Sequence, residues 1–197
     1  MITVRGLTVR FGDQVVLNGL DLDLAPGFTA VMGPNGSGKT TLARVLLGLI
    51  DPDDGTIDGL DGARRAAAFQ EDRLCRQLTA VRNVRLVMDR ATPTRLVADE
   101  LRRVGLDGDS LTKPVRDLSG GQRRRVAIVR AVLPPADLVV LDEPFKGLDT
   151  DAKAQVLPYV RDHCAGRTVL LITHDRAEAE WFGAPVITLT SGPTADA

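Results

Sequence analysis

Only two cysteines, Cys75 and Cys164, occur among the 197 residues. Their spacing fits no metal-ligand motif, and a disulfide framework is not expected in a chain of this size. Two free thiols in a reducing compartment are the expected state. Long apolar runs are also missing, since nothing approaches the roughly 20 residues that cross a bilayer as a helix. The opening Met1-Ile2-Thr3-Val4-Arg5-Gly6 lacks the apolar stretch of a secretory signal. A cytoplasmic location is therefore expected, with any membrane role supplied through a partner. Charge of one sign is lacking too: the net charge is −1, which leaves no basic footprint for nucleic acid. Lysine is scarce, at Lys39, Lys113, Lys146 and Lys153 only, so arginine carries most of the positive charge. No internal repeat, low-complexity segment or heptad run is visible. What remains is a hydrophobic content of 44%, enough for one substantial core or one core with an inserted subdomain.

The most informative segment that is present is Gly33-Pro34-Asn35-Gly36-Ser37-Gly38-Lys39-Thr40, followed by Thr41. It fits G-x-x-x-x-G-K-[ST], the phosphate-binding P-loop. Its glycines let successive backbone N–H groups converge on phosphates. Lys39 can reach the β- and γ-phosphates, and the Thr40 hydroxyl can ligate Mg²⁺. The ligand class is thus a nucleotide, while the reaction stays open. An apolar strand over 28–32 leads into the loop and a helix over 41–49 leaves it, which is the context a true P-loop requires.

Elsewhere, strands are expected over 2–9, 15–17 and 20–24, with turns at Gly12-Asp13 and Asn18-Gly19. Asp51 to Gly55 reads as a turn cluster. A short strand over 66–69 leads to Gln70. Residues 71–118 read as a helical subdomain, with helices over 79–88 and 94–104. Ser119 can cap a helix over 120–133. A buried strand over 138–141, a helix over 151–164 interrupted by Pro158, a strand over 168–172, a helix over 177–181 and a strand over 186–189 follow. Strands alternating with helices indicate an α/β class. The expected whole is a P-loop NTPase core with a mainly parallel sheet, formed by 1–70 and 119–197. It has an antiparallel β layer at its N-terminus and the helical insertion.

Two further segments carry chemistry. Leu138-Val139-Val140-Leu141 ends in Asp142 and Glu143. Beside a P-loop, Asp142 suits a magnesium shell, and Glu143 can orient or deprotonate an attacking water. A solvated strand end is the plain alternative. Ser119-Gly120-Gly121-Gln122 opens a helix and can form an anion site from exposed N–H groups; a simple N-cap is the alternative. Arg123-Arg124-Arg125, next in line, reads as a solvated helix face or a set of structural ion pairs.

In this order the motifs resemble those of ATP-binding cassette (ABC) ATPases. Leu118 to Gln122 resembles the family signature, Gln70 its glutamine loop, Gly147-Leu148-Asp149 its D-loop and Thr173-His174-Asp175 its switch histidine. Phe11 sits where the family places an aromatic on adenine, a position more often Tyr. The resemblance implies ATP and Mg²⁺ as ligands, with Thr40, Gln70 and Asp142 around the metal. It implies catalytic roles for Lys39, Glu143 and His174. It also implies a head-to-tail dimer in which Ser119 to Gln122 of one subunit close over the ATP of the other, with Asp149 linking the subunits. A transporter subunit working with a separate transmembrane permease is expected, at the cytoplasmic face of the membrane. The segments 69–74 and 144–149 resemble bacterial importers of small anions such as nitrate, sulfonates or taurine, which can also use an extracytoplasmic solute-binding protein. The chain stops soon after its last expected strand, so no C-terminal regulatory domain is expected. The alternative is a soluble ABC ATPase acting on DNA or ribosomes. Those carry long coiled-coil insertions or two cassettes, for which residues 71–117 leave little room.

Overall fold

The computed structural model describes residues 1–190; the end of the expected core, 191–197, lies outside them. In chain order come β1 (Ile2–Phe11), β2 (Gln14–Leu24), β3 (Gly27–Met32), α1 (Lys39–Leu46), β4 (Asp54–Asp58) and β5 (Arg65–Ala68). The helices α2 (Ala80–Arg85), α3 (Thr94–Arg103), α4 (Asp109–Thr112) and α5 (Gly120–Val132) follow, with a 3₁₀ turn at Val115–Asp117 before α5. Then come β6 (Leu138–Asp142), α6 (Thr150–His163), β7 (Thr168–Ile172), α7 (Arg176–Trp181) and β8 (Val186–Thr188). The chain folds into two compact units. One comprises Met1–Ala67, Ala136–Asp142 and the residues from Gly166; the other comprises Ala68–Pro135 and Glu143–Ala165.

The first unit holds two sheets. An antiparallel sheet has the order β2-β1-β4, and a second sheet has the order β5-β6-β7-β3-β8. β3 pairs in parallel with β7 and β8, and β6 in parallel with β7. β6 and β7 are buried at every residue, as befits strands of an enclosed parallel sheet. One core joins both sheets through α1: Val4, Leu7 and Leu24 from the antiparallel sheet, Leu42 and Leu46 from α1, and Val140 and Leu170 from the parallel sheet. The helix spacing of Leu42, Val45 and Leu46 gives α1 the apolar face this requires.

Local expectations fail at three places. β2 is one strand, not two, because Asn18-Gly19 forms a bulge. Gly19 has φ +62°, its N–H donates to Thr8 Oγ1 at 3.1 Å, and the register slips between the pairs Leu7–Leu20 and Val9–Leu17. β4 lies partly within the expected turn cluster; it forms because Val4 and Arg5 of β1 offer partners to Ile57 and Thr56. α6 runs through Pro158 without interruption, in line with the burial of Val156, Tyr159 and Val160 around the proline.

In the second unit α5 packs against α2, α3 and α6, and α2 packs against α3 and α4. Both α5 and α6 thus belong to the compact unit that contains the helical insertion. Fully buried Asn83 clamps the loop ahead of α2. Its Oδ1 accepts from Cys75 N at 2.8 Å, and its Nδ2 donates to the carbonyls of Cys75, Leu78 and Thr79 at 3.1 to 3.3 Å. Phe145, which lies between Glu143 and α6 in the sequence, is fully buried.

Candidate nucleotide site

The loop between β3 and α1 is curled by glycines in backbone conformations that strain any other residue. Gly33 and Gly38 have φ of +147° and +92°. A Cβ on Gly33 would lie 2.2 Å from the Leu189 carbonyl oxygen, and one on Gly38 would lie 2.6 Å from Leu17 Cδ2. Lys39 is nearly buried, and its ammonium donates to the carbonyls of Gly33 and Pro34 at 2.8 and 2.7 Å. The lysine thereby closes the loop and keeps one of its three donors for a phosphate. Ser37 is buried, Thr41 is half-buried, and Asn35, Gly36 and Thr40 are exposed.

The first unit brings Thr40 and Asp142 together. Thr40 Oγ1 lies 3.4 Å from Asp142 Oδ2 at the carboxyl end of β6, and Asp142 is buried. No group of three or more His, Cys, Asp or Glu among the described residues could hold a metal. A hydroxyl beside one carboxylate suits a magnesium ion that takes its other ligands from phosphates and water. The residues present therefore fit Mg²⁺ bound together with a nucleotide.

His174 follows β7 and is exposed. Its loop is fixed by a buried pair that the sequence reading missed: Thr173 Oγ1 donates to Glu178 Oε2 at 2.6 Å and accepts from Asp175 N at 3.0 Å. The i to i+5 spacing of a hydroxyl and a glutamate across a short helix start was the available signal. Phe11, at the end of β1, is half exposed.

Gln70, Ser119 to Gln122 and Glu143 belong to the second unit. Ser119 and Gln122 form a full capping box. Ser119 Oγ accepts from Gln122 N at 3.1 Å, and Gln122 Oε1 accepts from Ser119 N at 2.9 Å. The box fixes the first turn of α5, whose remaining N–H groups carry the positive end of the helix dipole. Glu143 directly follows β6 with φ +49°, a left-handed backbone that costs a non-glycine residue about 1–2 kcal/mol. Such an outlier marks a position that the surrounding structure imposes. Asp149 N-caps α6, accepting from Ala152 N at 2.8 Å. A cavity of about 320 Å³ is lined by Gln70, Asp72, Gly120, Gly121, Arg124 and Gly147, together with Lys146. Arg124, read from sequence as solvated or ion-paired, is buried and pairs with Asp72 at 3.4 Å. A run of three arginines on a helix does not reveal which of them faces inward.

A parallel sheet, a glycine-cradled lysine loop at the carboxyl end of its strand, and a hydroxyl–carboxylate pair beside it define a P-loop nucleotide-binding protein. The sequence profile described as ABC transporter matches residues 17–146. The chain belongs to that family and is one of its ATP-binding, ATP-hydrolysing subunits. It is 40% identical to the aliphatic sulfonates import ATP-binding protein SsuB 1 of Frankia alni, over 97% of this chain and 72% of that protein. It is 38% identical to SsuB 2 of Nocardia farcinica, over 98% of this chain and 81% of that protein. It is also 38% identical to the Fe(3+) ions import ATP-binding protein FbpC of Mesorhizobium japonicum, over 97% of this chain and 58% of that protein. In fold it is similar to a dimeric ATP-binding cassette bound to ADP and Pi in a post-hydrolysis state. The TM-score is 0.84 at 24% identity, with 98% of this chain and 97% of that one covered. Among the described residues no helix is long and apolar enough to cross a membrane.

Proposed function

We propose that this subunit powers the import of a small solute of the aliphatic-sulfonate kind, as a head-to-tail dimer beneath a separate permease. The observation that carries this reading is the near-full-length similarity to sulfonate import proteins in a chain whose Lys39, Thr40 and Asp142 are arranged for a nucleotide. Gly33 to Thr41 bind the phosphates, with Lys39 offsetting charge that develops in the transition state. Phe11 stacks on adenine. Thr40, Asp142 and Gln70 would hold Mg²⁺, which would supply positive charge against the phosphates. Ser119, Gly120, Gly121 and Gln122 of one subunit close over the γ-phosphate of the ATP held by the other, and Asp149 helps join the two. Glu143 takes a proton from the attacking water as its oxygen bonds the γ-phosphorus and the bond to ADP breaks. His174 contacts the γ-phosphate and keeps that geometry.

We assign 1–70 with 119–197 to the ATPase core and 71–118 to the helical subdomain, a functional division that differs from the two compact units. We assign residues 71–89 as the permease-docking surface, through which the subunit would sit at the cytoplasmic face of the membrane. An extracytoplasmic solute-binding protein completes the system.

Two experiments test this. Glu143→Gln should leave ATP binding intact and lower turnover by about 10²–10⁴-fold, the range of a general base. Turnover at the wild-type rate would remove Glu143 from this role. Reconstituted in vesicles with its permease and binding protein, the wild-type subunit should hydrolyse ATP faster when an aliphatic sulfonate is added. Stimulation by ferric ion instead would reassign the solute.

A further inference from the structure

We infer that Arg124 is a positioning residue for hydrolysis, setting Glu143 and Gln70 through their main-chain carbonyls; this rests on the roles just proposed for those two residues. Its side chain is 6% exposed, and all three guanidinium nitrogens donate within the second unit. Nε donates to Pro144 O at 2.8 Å and Nη2 to Glu143 O at 2.5 Å. Nη1 donates to Phe69 O in a short bond, to Gln70 O at 3.3 Å and to Asp72 Oδ1 at 3.4 Å. The acceptors lie on two turns, one leaving β5 with Gln70 and one leaving β6 with Glu143. The donor lies on α5, the helix that opens at Ser119. One planar fork therefore fixes three segments that each bear a proposed ATP contact.

The geometry also bears on Glu143 directly. Its backbone is held left-handed at φ +49°. The Nη2 bond to its carbonyl holds the peptide that follows and so steadies the left-handed turn from which its side chain departs. A second arginine strengthens the other turn. Arg130 donates to the carbonyls of Asp72 and Arg73, both at 2.9 Å, where Arg73 is itself left-handed at φ +45°. Arg130 touches neither Glu143 nor Pro144 in these bonds, whereas Arg124 reaches both turns. Lysine could not take its place: its single ammonium cannot serve carbonyls on two turns in the fixed fork geometry of a guanidinium.

Arg124→Lys tests this. Thermal unfolding checks the fold, and binding of a fluorescent ATP analogue checks the nucleotide site. Affinity within about twofold of wild type is expected, with kcat lowered about 10- to 100-fold, the scale of a misplaced catalytic group. In a Glu143→Gln background the same substitution should cause little further loss, because residues acting as a unit are non-additive. A kcat equal to wild type in a folded R124K, or the same fold-loss in both backgrounds, overturns the inference. If E143Q itself turns over normally, the role of Glu143 falls, and this inference with it. An inactive E143Q beside an undiminished R124K overturns the inference alone. Where R124K does not fold, R124Q, whose neutral amide leaves no buried charge to desolvate, takes its place with the same expected split.

Discussion

At the residue scale the P-loop lysine and the Thr40–Asp142 pair have separable duties. Lys39 already bonds two loop carbonyls, so its removal loosens the cradle as well as deleting a charge. Lys39→Ala should weaken ATP binding by at least tenfold, about 1.4 kcal/mol, in the presence or absence of magnesium. Asp142→Asn should differ. It keeps the shape of the pair but removes the charge that suits a cation, so ATP affinity should fall with Mg²⁺ and stay near wild type in EDTA. Isothermal titration under both conditions separates the two; equal losses for D142N with and without metal would remove Asp142 from the metal shell. These residues were legible in the sequence because the loop motif fixes type, spacing and context together. Arg124 was not, since burial is set by the face a helix turns inward. Asp149 shows the same limit: its N-cap on α6 is a local bond, whatever a partner subunit adds.

At the element scale the helix ends carry the argument. Ser119→Ala breaks the capping box and should cost about 1 kcal/mol of stability. If the first turn of α5 also meets a γ-phosphate, kcat should fall further than that cost explains. A melting shift with unchanged turnover would reduce Ser119 to a cap. α6 offers a second test through Tyr159, the protein's only tyrosine. Burial of its phenol, then the charge of Glu100 on α3, push its pKa well above the ordinary 10.0. A folded pKa above the unfolded one means that stability is intact below pH 10 and is lost as pH climbs beyond it. The tyrosinate absorbance should therefore appear together with unfolding, and Tyr159→Phe should lessen the fall in melting temperature above pH 10. A free titration near the ordinary value would show that α6 does not shield the ring. Local pattern recovered most helices and strands. It failed where pairing partners lie far away in sequence, as for β4, whose Ile57 finds Val4, and where packing overrides a breaker, as at Pro158.

At the scale of the whole molecule, one of the places where the chain passes from one compact unit to the other falls between Asp142 and Glu143. The P-loop and the proposed metal residues Thr40 and Asp142 lie in the first unit. Gln70, the signature turn and the proposed base lie in the second. The head-to-tail pair proposed above would bring the signature turn of one copy to the ATP held by the P-loop of the other. Binding to the folded state alone raises stability by about 2.7 kcal/mol at a hundredfold excess over Kd, whatever the protein concentration. Assembly of two copies around ATP adds a dependence on protein concentration. In E143Q, where ATP is not consumed, the melting temperature with Mg-ATP should rise steadily as protein is concentrated, while without nucleotide it should stay constant. S119A in the same background should keep the ligand-induced rise but lose much of its concentration dependence, because its P-loop still binds ATP while the turn that closes over the partner's phosphate is weakened. A rise in melting temperature independent of protein concentration in E143Q would count against the head-to-tail dimer and leave a monomeric ATP site.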